Sequence, residues 1–291
     1  MVAPQAGLAT LALTFNAFTW GVSWWPFRWL QERGLHALWA TVLIYAVAVV
    51  LISVWRPQSW GQLLRTPSLW WLVLAAGATN AAFNTAVTIG DVVRVVLLFY
   101  IMPLWAVLLA RVLLGERLTL LAAVRVVLAL SGAAIVLWPT DGSFWPLPTS
   151  TGEVLAVAGG FTFALNNVML RREAHQPDSA RALAMFAGGA GVSLLAALWL
   201  GTAGAVPWPP APAQGWIAGM LGLAMVFLLS NLALQYGSAR LPANATAVVM
   251  VSEVLFASVS AVALGAGLVS WPLALGGVLI LSASLLAAWR R

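Results

Sequence analysis

Long apolar stretches without a charged side chain recur along the whole sequence, and they constrain the fold more than any other feature. Hydrophobic residues make up 62% of the 291-residue chain, whereas charged residues make up only 8%. A soluble globular protein is nearer half apolar and about a quarter charged. So few charged groups cannot cover the surface of a compact body, which excludes the water-soluble and the disordered classes. The composition therefore indicates an integral membrane protein.

Ten of these stretches have the length needed to cross a bilayer. A helix needs roughly 20 apolar residues to span a hydrocarbon core of about 30 Å. The apolar runs are continuous and do not alternate with polar residues, so helices are predicted and not the strands of a barrel. The predicted spans are residues 6–30, 36–54, 69–90, 93–114, 118–137, 152–171, 180–200, 214–236, 243–264 and 270–288. The predicted fold class is thus an all-α integral membrane protein.

The arginines predict how these spans are oriented. With both termini in the cytoplasm, most arginines lie in or beside cytoplasmic segments, and only Arg28, Arg33 and Arg94 fall on the other side. Cytoplasmic loops carry an excess of Lys and Arg, so the prediction is N-in and C-in. The net charge of +6 does not indicate a nucleic-acid partner, because the arginines stand singly between apolar runs and do not form a polar basic patch.

The two halves of the sequence resemble each other. Residues 101–137 align without a gap on residues 251–287, which places Gly115 on Gly265. Upstream, two shorter matches follow in the same order: 84–90 on 231–237, and 18–20 on 161–163. Five spans are an odd number, so two five-span halves enter the membrane in opposite directions. Inverted repeats are a transporter architecture with the substrate site between the halves. We therefore predict two inverted five-helix repeats, residues 1–140 and 141–291, around a central cavity.

Two motifs resemble those of a known transporter family. Met-Pro-Leu at 102–104, followed by Leu-Gly-Glu-Arg-Leu-Thr at 114–119, is similar to the proline-to-glutamate signature of the drug/metabolite transporter (DMT) superfamily, in its EamA-type repeats. In the second half, Leu-Pro-Ala-Asn-Ala at 241–245 and Ser-Glu-Val at 252–254 resemble the later repeat of that family. Val254 replaces the usual proline, and Ala266 stands where the first half has Glu116.

This resemblance implies a ten-span carrier in the cell (plasma or inner) membrane. The high tryptophan content, 17 residues, and the short loops further resemble the YddG-type aromatic amino-acid exporters. The implied function is export of small metabolites, and the implied partners are a small-molecule substrate and the lipid bilayer, with a monomer as the expected assembly. A cofactor is not expected.

Polar side chains within a span are costly and usually face a cavity or the interior of the bundle. In the first span, Asn16, Trp20 and Ser23 recur at helical spacing and share one face. The same reasoning gives a substrate-binding set on spans one, three, four, six, eight and nine: Asn16, Trp20, Ser23, Asn80, Asn84, Tyr100, Trp105, Phe163, Asn166, Asn167, Asn231 and Ser252. The remaining spans are expected to face lipid. The alternative is that each amide hydrogen-bonds between helices and has only a packing role, and that alternative stays open.

Glu253 is the most specific single candidate for a functional role, since it lies near the middle of the ninth predicted span. A charge there costs about 2.5–3.5 kcal/mol on insertion scales. One interpretation is a coupling site for protons or a site for a substrate amine, and the other is a structural carboxyl that bonds to backbone. In the fourth span, Pro103 lacks a backbone N–H and is expected to kink the helix between Tyr100 and Trp105.

These features favour a secondary transporter that exports amino acids, including aromatic and other apolar ones, and related small metabolites by alternating access. The alternative is a proton-coupled exporter of drugs or other metabolites that uses Glu253. ATP-driven pumping is excluded because the chain has no Gly-rich phosphate loop followed by Lys. A metal site or an enzyme is not predicted, because Cys is absent and His36 and His175 lie at the predicted membrane edges. The sequence does not separate a carrier from a channel.

Overall fold

The computed structural model describes residues 3–115, 119–136, 138, 147–212, 215–238 and 243–288. All the regular structure in these ranges is helical, which confirms the predicted all-α class. The helices are α1 (Ala3–Val22), α2 (Trp24–Glu32), α3 (Ala37–Trp55), α4 (Gln58–Arg65), α5 (Pro67–Ile89), α6 (Val92–Phe99), α7 (Met102–Leu114), α8 (Leu120–Val136), α9 (Thr151–Arg172), α10 (Asp178–Thr202), α11 (Trp216–Ser238), α12 (Ala243–Ala263) and α13 (Trp271–Ala288). Glu116, Pro242 and the other residues between the ranges lie outside the described part.

Six helical stretches in the described residues are long and apolar enough to cross a membrane. They are α3, α5, α6 together with α7, α9, α10 and most of α11. Shorter apolar helices lie in α8, α12 and α13. Large apolar side chains such as Trp55 and Leu120 are about four-fifths exposed on the outside of this bundle. Lipid, and not water, is the solvent that accommodates such a surface. The chain is therefore a multi-pass membrane protein.

Two predicted spans are broken into pairs of helices. The first is divided at Ser23, between α1 and α2, and the fourth is divided at Tyr100 and Ile101, between α6 and α7. Each break is followed at once by a proline, Pro26 in the first turn of α2 and Pro103 in the first turn of α7. Proline is tolerated in a first turn because the N–H groups there have no partner within the helix. The expected kink at Pro103 is thus a break in the helix.

The helices pack in a small number of extensive pairs. α5 lies between α9 and α10, α1 packs on α11 and α12, α10 packs on α3, and α8 packs on α13. The pair α8 and α13 approaches most closely at two glycines. A Cβ added to Gly132 would lie 2.6 Å from the carbonyl oxygen of Gly276, and one added to Gly276 would lie 2.7 Å from that of Gly132. Small residues permit this backbone contact between helices in a membrane.

Polar contacts fasten one end of the bundle, which we call the Arg28 end and define by Arg28, Arg94 and Glu153. The Arg28 side chain donates from Nε to the carbonyl oxygen of Val87 over 2.9 Å, and thereby holds α2 against the last turn of α5. Arg94 at the start of α6 forms an ion pair with Glu153 at the start of α9, with Nε and Oε1 2.5 Å apart. Two pairs of helices, α2 with α5 and α6 with α9, are therefore tied at this end.

Candidate functional site

A cavity of about 130 Å³ lies inside the bundle. Seven helices contribute to its wall, namely α1, α5, α6, α9, α10, α11 and α12. Its lining consists of Asn16, Trp20, Ala76, Thr79, Asn80, Phe83, Phe99, Phe163, Asn166, Met185, Asn231, Leu234, Met250 and Glu253.

Seven of the residues singled out in the sequence lie together in this lining: Asn16, Trp20, Asn80, Phe163, Asn166, Asn231 and Glu253. They come from α1, α5, α9, α11 and α12, which are separated widely along the chain. Helical spacing within a single span places each of them on a polar face. The packing of the helices then directs these faces into one cavity.

Four predicted site residues lie outside this lining, and three of them have local partners. Asn84 is fully buried and donates from Nδ2 to Oγ1 of Thr41 over 2.9 Å, so it links α5 to α3. The hydroxyl of Ser23 donates to the carbonyl oxygen of Trp20 at the break between α1 and α2. Ser252 donates back to a carbonyl oxygen of its own helix. Asn167 is exposed on the outside of α9.

Tyr100 and Trp105 also lie outside the lining, although both are close to it. The ring of Trp105 meets that of Phe161 edge to face, with centroids 5.4 Å apart. The hydroxyl of Tyr100 donates to Oε2 of Glu253 over 3.0 Å. Because Tyr100 stands at the break between α6 and α7, the end of α6 is positioned directly against the acidic residue of α12. Tyr100 is thus a partner of a lining residue.

Asn16 is held in one orientation by Ser230. Its Nδ2 donates to the hydroxyl of Ser230 over 2.7 Å and to the carbonyl oxygen of the same residue over 2.9 Å. A carbonyl oxygen only accepts, which fixes the amide so that Oδ1 points the other way. This Oδ1 is buried without a hydrogen-bond partner among the described residues, and the same is true of Oδ1 of Asn166. Two lining amides therefore each retain an unsatisfied acceptor.

Asn80 is satisfied on both sides of its amide. Its Oδ1 accepts from the hydroxyl of Tyr45 over 2.6 Å, and its Nδ2 donates to the carbonyl oxygen of Ala76 over 2.8 Å. One N–H of Asn80 is left for the cavity. On the same helix, the hydroxyl of Thr79 donates to the carbonyl oxygen of Ala75 over 2.7 Å.

Among the described lining residues, Glu253 is the one with an acidic or basic side chain. It is buried, and no cation within the described ranges forms an ion pair with it. Its described hydrogen-bond partner is Tyr100. A buried carboxyl without a counter-ion is costly, so its place in a cavity points to a functional role more than to stability.

The sequence pattern predicted Trp20 and Phe163 but missed the rest of the apolar wall, including Phe83, Phe99 and Met185. Phe99 packs on Phe83 with ring centroids 4.8 Å apart, and on Phe163 with centroids 5.2 Å apart. Met185 belongs to α10, within a predicted span that was expected to face lipid. Apolar residues are common on every face of a membrane helix, so no polar signal marked Phe83, Phe99 or Met185. The position of Phe99 just before the proline break was the available clue.

Comparisons with known proteins agree with this architecture. Residues 7–138 match the model of the EamA-like transporter family. A crystal structure described only as that of a protein is similar over 96% of this chain and 96% of its own, with a TM-score of 0.53 and 18% sequence identity. At that identity the likeness concerns the fold. No curated protein sequence matches the chain. The EamA-like match indicates a small-molecule transporter of the cell membrane and, at the level of the family, not an enzyme.

Proposed function

We propose that the chain is a secondary transporter that exports amino acids, including aromatic and other apolar ones, and related small metabolites. The cavity is the substrate site, and alternating access opens it to one side of the membrane at a time. The observation that carries this proposal is the cavity itself, which seven helices from distant parts of the sequence surround with amides and aromatic rings. Ligand sites of this kind are mostly apolar with a few placed polar groups.

The ten-span arrangement in two repeats, 1–140 and 141–291, is part of this proposal. We pair the helices of the two halves in chain order: α1/α2 with α9, α3 with α10, α5 with α11, α6/α7 with α12, and α8 with α13. When each helix is replaced by its partner in this pairing, the main helix contacts map onto one another. The contact of α1 with α12 becomes that of α9 with α6 and α7, and the contact of α1 with α11 becomes that of α9 with α5. The pairs α3 with α10 and α8 with α13 map onto themselves. A two-fold relation between inverted halves accounts for this exchange.

The offset of 150 residues seen in the sequence also has a counterpart in contacts. The hydroxyl of Tyr100 lies 3.4 Å from the carbonyl oxygen of Met250, its equivalent at that offset. Residues beside a two-fold axis meet their own equivalents, as in symmetric dimers. Gly115 and Gly265, aligned at the same offset, both adopt the left-handed backbone with φ of 68°. These observations support an inverted pair of halves whose axis passes near Tyr100.

The lining suits a substrate with an aromatic or aliphatic side chain. Four aromatic rings, those of Trp20, Phe83, Phe99 and Phe163, offer apolar area and edge-to-face packing. The amides of Asn80 and Asn231 can hydrogen-bond to the polar end of an amino acid. The resemblance to amino-acid exporters supports the same substrate class.

A second candidate function is proton-coupled export of drugs or other metabolites through Glu253. The observation that favours it is the buried, unpaired carboxyl in the cavity wall. Glu253→Gln keeps the shape and removes the titratable group. If export is proton-coupled, this variant abolishes transport driven by a pH gradient. Unchanged gradient-driven transport in Glu253→Gln would contradict the second candidate.

The proposal is tested by uptake of the twenty amino acids into proteoliposomes, with and without a pH gradient. Saturable uptake of apolar or aromatic amino acids above that of protein-free vesicles is expected. Two neighbouring asparagines provide a matched pair of variants, since Asn166 lines the cavity and Asn167 is exposed. Asn166→Ala is expected to reduce uptake about tenfold, the effect of one lost hydrogen bond to a charged group, whereas Asn167→Ala leaves it unchanged. Equal effects would place the substrate outside this cavity.

The orientation of the second half is tested with single cysteines, because the chain has none of its own. Ala174 follows α9 and Ala205 follows α10, and both are exposed. When a membrane-impermeant maleimide is added outside intact cells, it is expected to label Ala205→Cys and not Ala174→Cys. The reverse labelling would refute the N-in, C-in orientation without affecting the location of the cavity.

A further inference from the structure

We infer that the cavity recognises its ligand by a protonated amine and not by a carboxylate, so that arylalkylamines without any carboxylate are substrates. Such a molecule consists of a primary ammonium joined by a short chain to an aromatic ring. The inference rests on the proposed function, because it takes this cavity as the substrate site. It goes further in naming which end of the ligand is bound and which end is dispensable.

The first supporting observation is the charge of the cavity wall. Glu253 supplies one carboxyl to the cavity, and no arginine or histidine belongs to the lining in the described ranges. An ammonium placed here gains a counter-ion. A ligand carboxylate would instead approach Glu253 with no fixed cation to compensate it. Interactions between charges are strong in a site of low dielectric constant, so this difference in sign dominates the choice of ligand.

The hydrogen-bond inventory carries the second step. Both N–H groups of Asn16 are taken by Ser230, and what remains is a buried oxygen that has no described partner. Asn166 likewise has a buried oxygen without a partner. The hydroxyl proton of Thr79 is taken by its own helix. The buried lining atoms without a described partner are thus these two amide oxygens, while Asn80 keeps one N–H for the cavity. An ammonium has three donors and no acceptor, so it matches the two oxygens.

The aromatic wall carries the third step. Phe99, Phe83 and Phe163 form one connected group of rings, and Trp20 belongs to the same lining. The face of an aromatic ring attracts a cation and repels an anion. The same rings pack against an aromatic body. An arylalkylamine therefore matches both the electrostatics and the apolar area of the cavity, whereas the carboxylate of an amino acid finds no cation in the described lining.

Three commercially available probes that share a phenylethyl group test the inference. They are phenethylamine (ammonium alone), L-phenylalanine (ammonium and carboxylate) and 3-phenylpropionate (carboxylate alone). Binding to the purified full-length protein in detergent is measured by isothermal titration calorimetry at pH 7, so that diffusion of the free amine through a bilayer plays no part. We expect phenethylamine to bind at least as tightly as phenylalanine. We expect phenylpropionate to bind about tenfold or more weaker than either, the ratio for one lost charge-assisted hydrogen bond.

Competition against uptake of labelled phenylalanine into proteoliposomes provides the transport readout. Phenethylamine is expected to inhibit at concentrations similar to unlabelled phenylalanine. Glu253→Gln is expected to weaken phenethylamine binding about tenfold, and circular dichroism with size-exclusion chromatography verifies that the variant is folded. The wild-type probe series does not depend on that variant.

The outcomes separate the inference from the proposed function. If phenylalanine binds and is transported while phenethylamine neither binds nor competes, the inference is overturned and the proposed function stands. If phenylpropionate binds as tightly as phenethylamine, the inference is likewise overturned. If phenylalanine is not transported but phenethylamine binds tightly, the inference stands and the amino-acid part of the proposed function fails. If none of the three binds, both fail.

Discussion

The contact between Tyr100 and Glu253 allows a quantitative test of the site. Tyr100→Phe removes the hydroxyl that donates to Oε2 of Glu253 over 3.0 Å and leaves the buried ring in place. A hydrogen bond to a charged group contributes about 1.5–3 kcal/mol. Neutral interhelical hydrogen bonds in membranes average about 0.6 kcal/mol. The inference that Glu253 accepts a cation requires a carboxylate, so the larger range applies.

The interaction free energy is isolated by a double-mutant cycle of Tyr100→Phe and Glu253→Met. Methionine has a similar length, and its uncharged thioether is only a weak hydrogen-bond acceptor, so the second variant removes the charged interaction. The free energy of unfolding is measured in detergent at pH 8 by reversible denaturation. We expect a coupling of about 1.5–3 kcal/mol between the two positions.

A neutral pair in the same bundle provides the reference for this cycle. The hydroxyl of Tyr45 donates to Oδ1 of Asn80 over 2.6 Å, and neither group carries a charge. A second cycle of Tyr45→Phe and Asn80→Leu is expected to give a coupling near 0.6 kcal/mol. If the Tyr100–Glu253 coupling does not exceed this reference, the assignment of Glu253 as a charged acceptor is refuted.

Three further predictions concern stability. Burial lowers the pKa of His36, which caps α3 in its neutral form. The wild-type melting temperature is therefore expected to be constant above about pH 6.5 and to decrease as the pH falls to 5. The variant His36→Asn keeps an acceptor at the cap and is expected to lose this decrease. Equal pH profiles would contradict this role. Gly132→Ala places a Cβ against a carbonyl oxygen of α13 and is expected to lower the free energy of unfolding by about 1–3 kcal/mol. In the control Gly222→Ala, the added Cβ has nothing within 4 Å, and the expected cost is less than about 0.5 kcal/mol. Equal costs would mean that α8 and α13 are not in close contact. Arg94→Gln removes the ion pair with Glu153 and is expected to lower the melting temperature by a few degrees, and an unchanged value measured at low salt would show that this pair does not hold α6 to α9.

The helical class followed from the sequence because apolar runs of about 20 residues have one solution in lipid, a hydrogen-bonded helix. The breaks within two of the predicted spans were harder to foresee. Pro103 predicts a kink in the fourth span, and the same rule applies to Pro26 in the first span. In both cases the helix restarts so that the proline occupies the first turn. A proline inside an apolar run is therefore a signal for a broken span.

The candidate site could be found only in part from helical spacing. Asn16 and Asn166 were found because a polar residue in a span faces either a cavity or another helix. That rule cannot separate the two cases, and Asn84 illustrates the second one, since it bonds to Thr41 of a neighbouring helix. Met185 and the other apolar residues of the wall carry no polar signal in a sequence where most residues are apolar. Which faces converge depends on packing between distant spans.

Counterflow in proteoliposomes tests the central claim most directly. Vesicles are preloaded with unlabelled L-phenylalanine, diluted, and given a trace of labelled phenylalanine outside. A cavity that opens to one side at a time exchanges the two, so labelled substrate is expected to accumulate transiently above its external concentration and to saturate as that concentration rises. Flux that increases linearly without transient accumulation would contradict alternating access and would show that the cavity is part of an open pore.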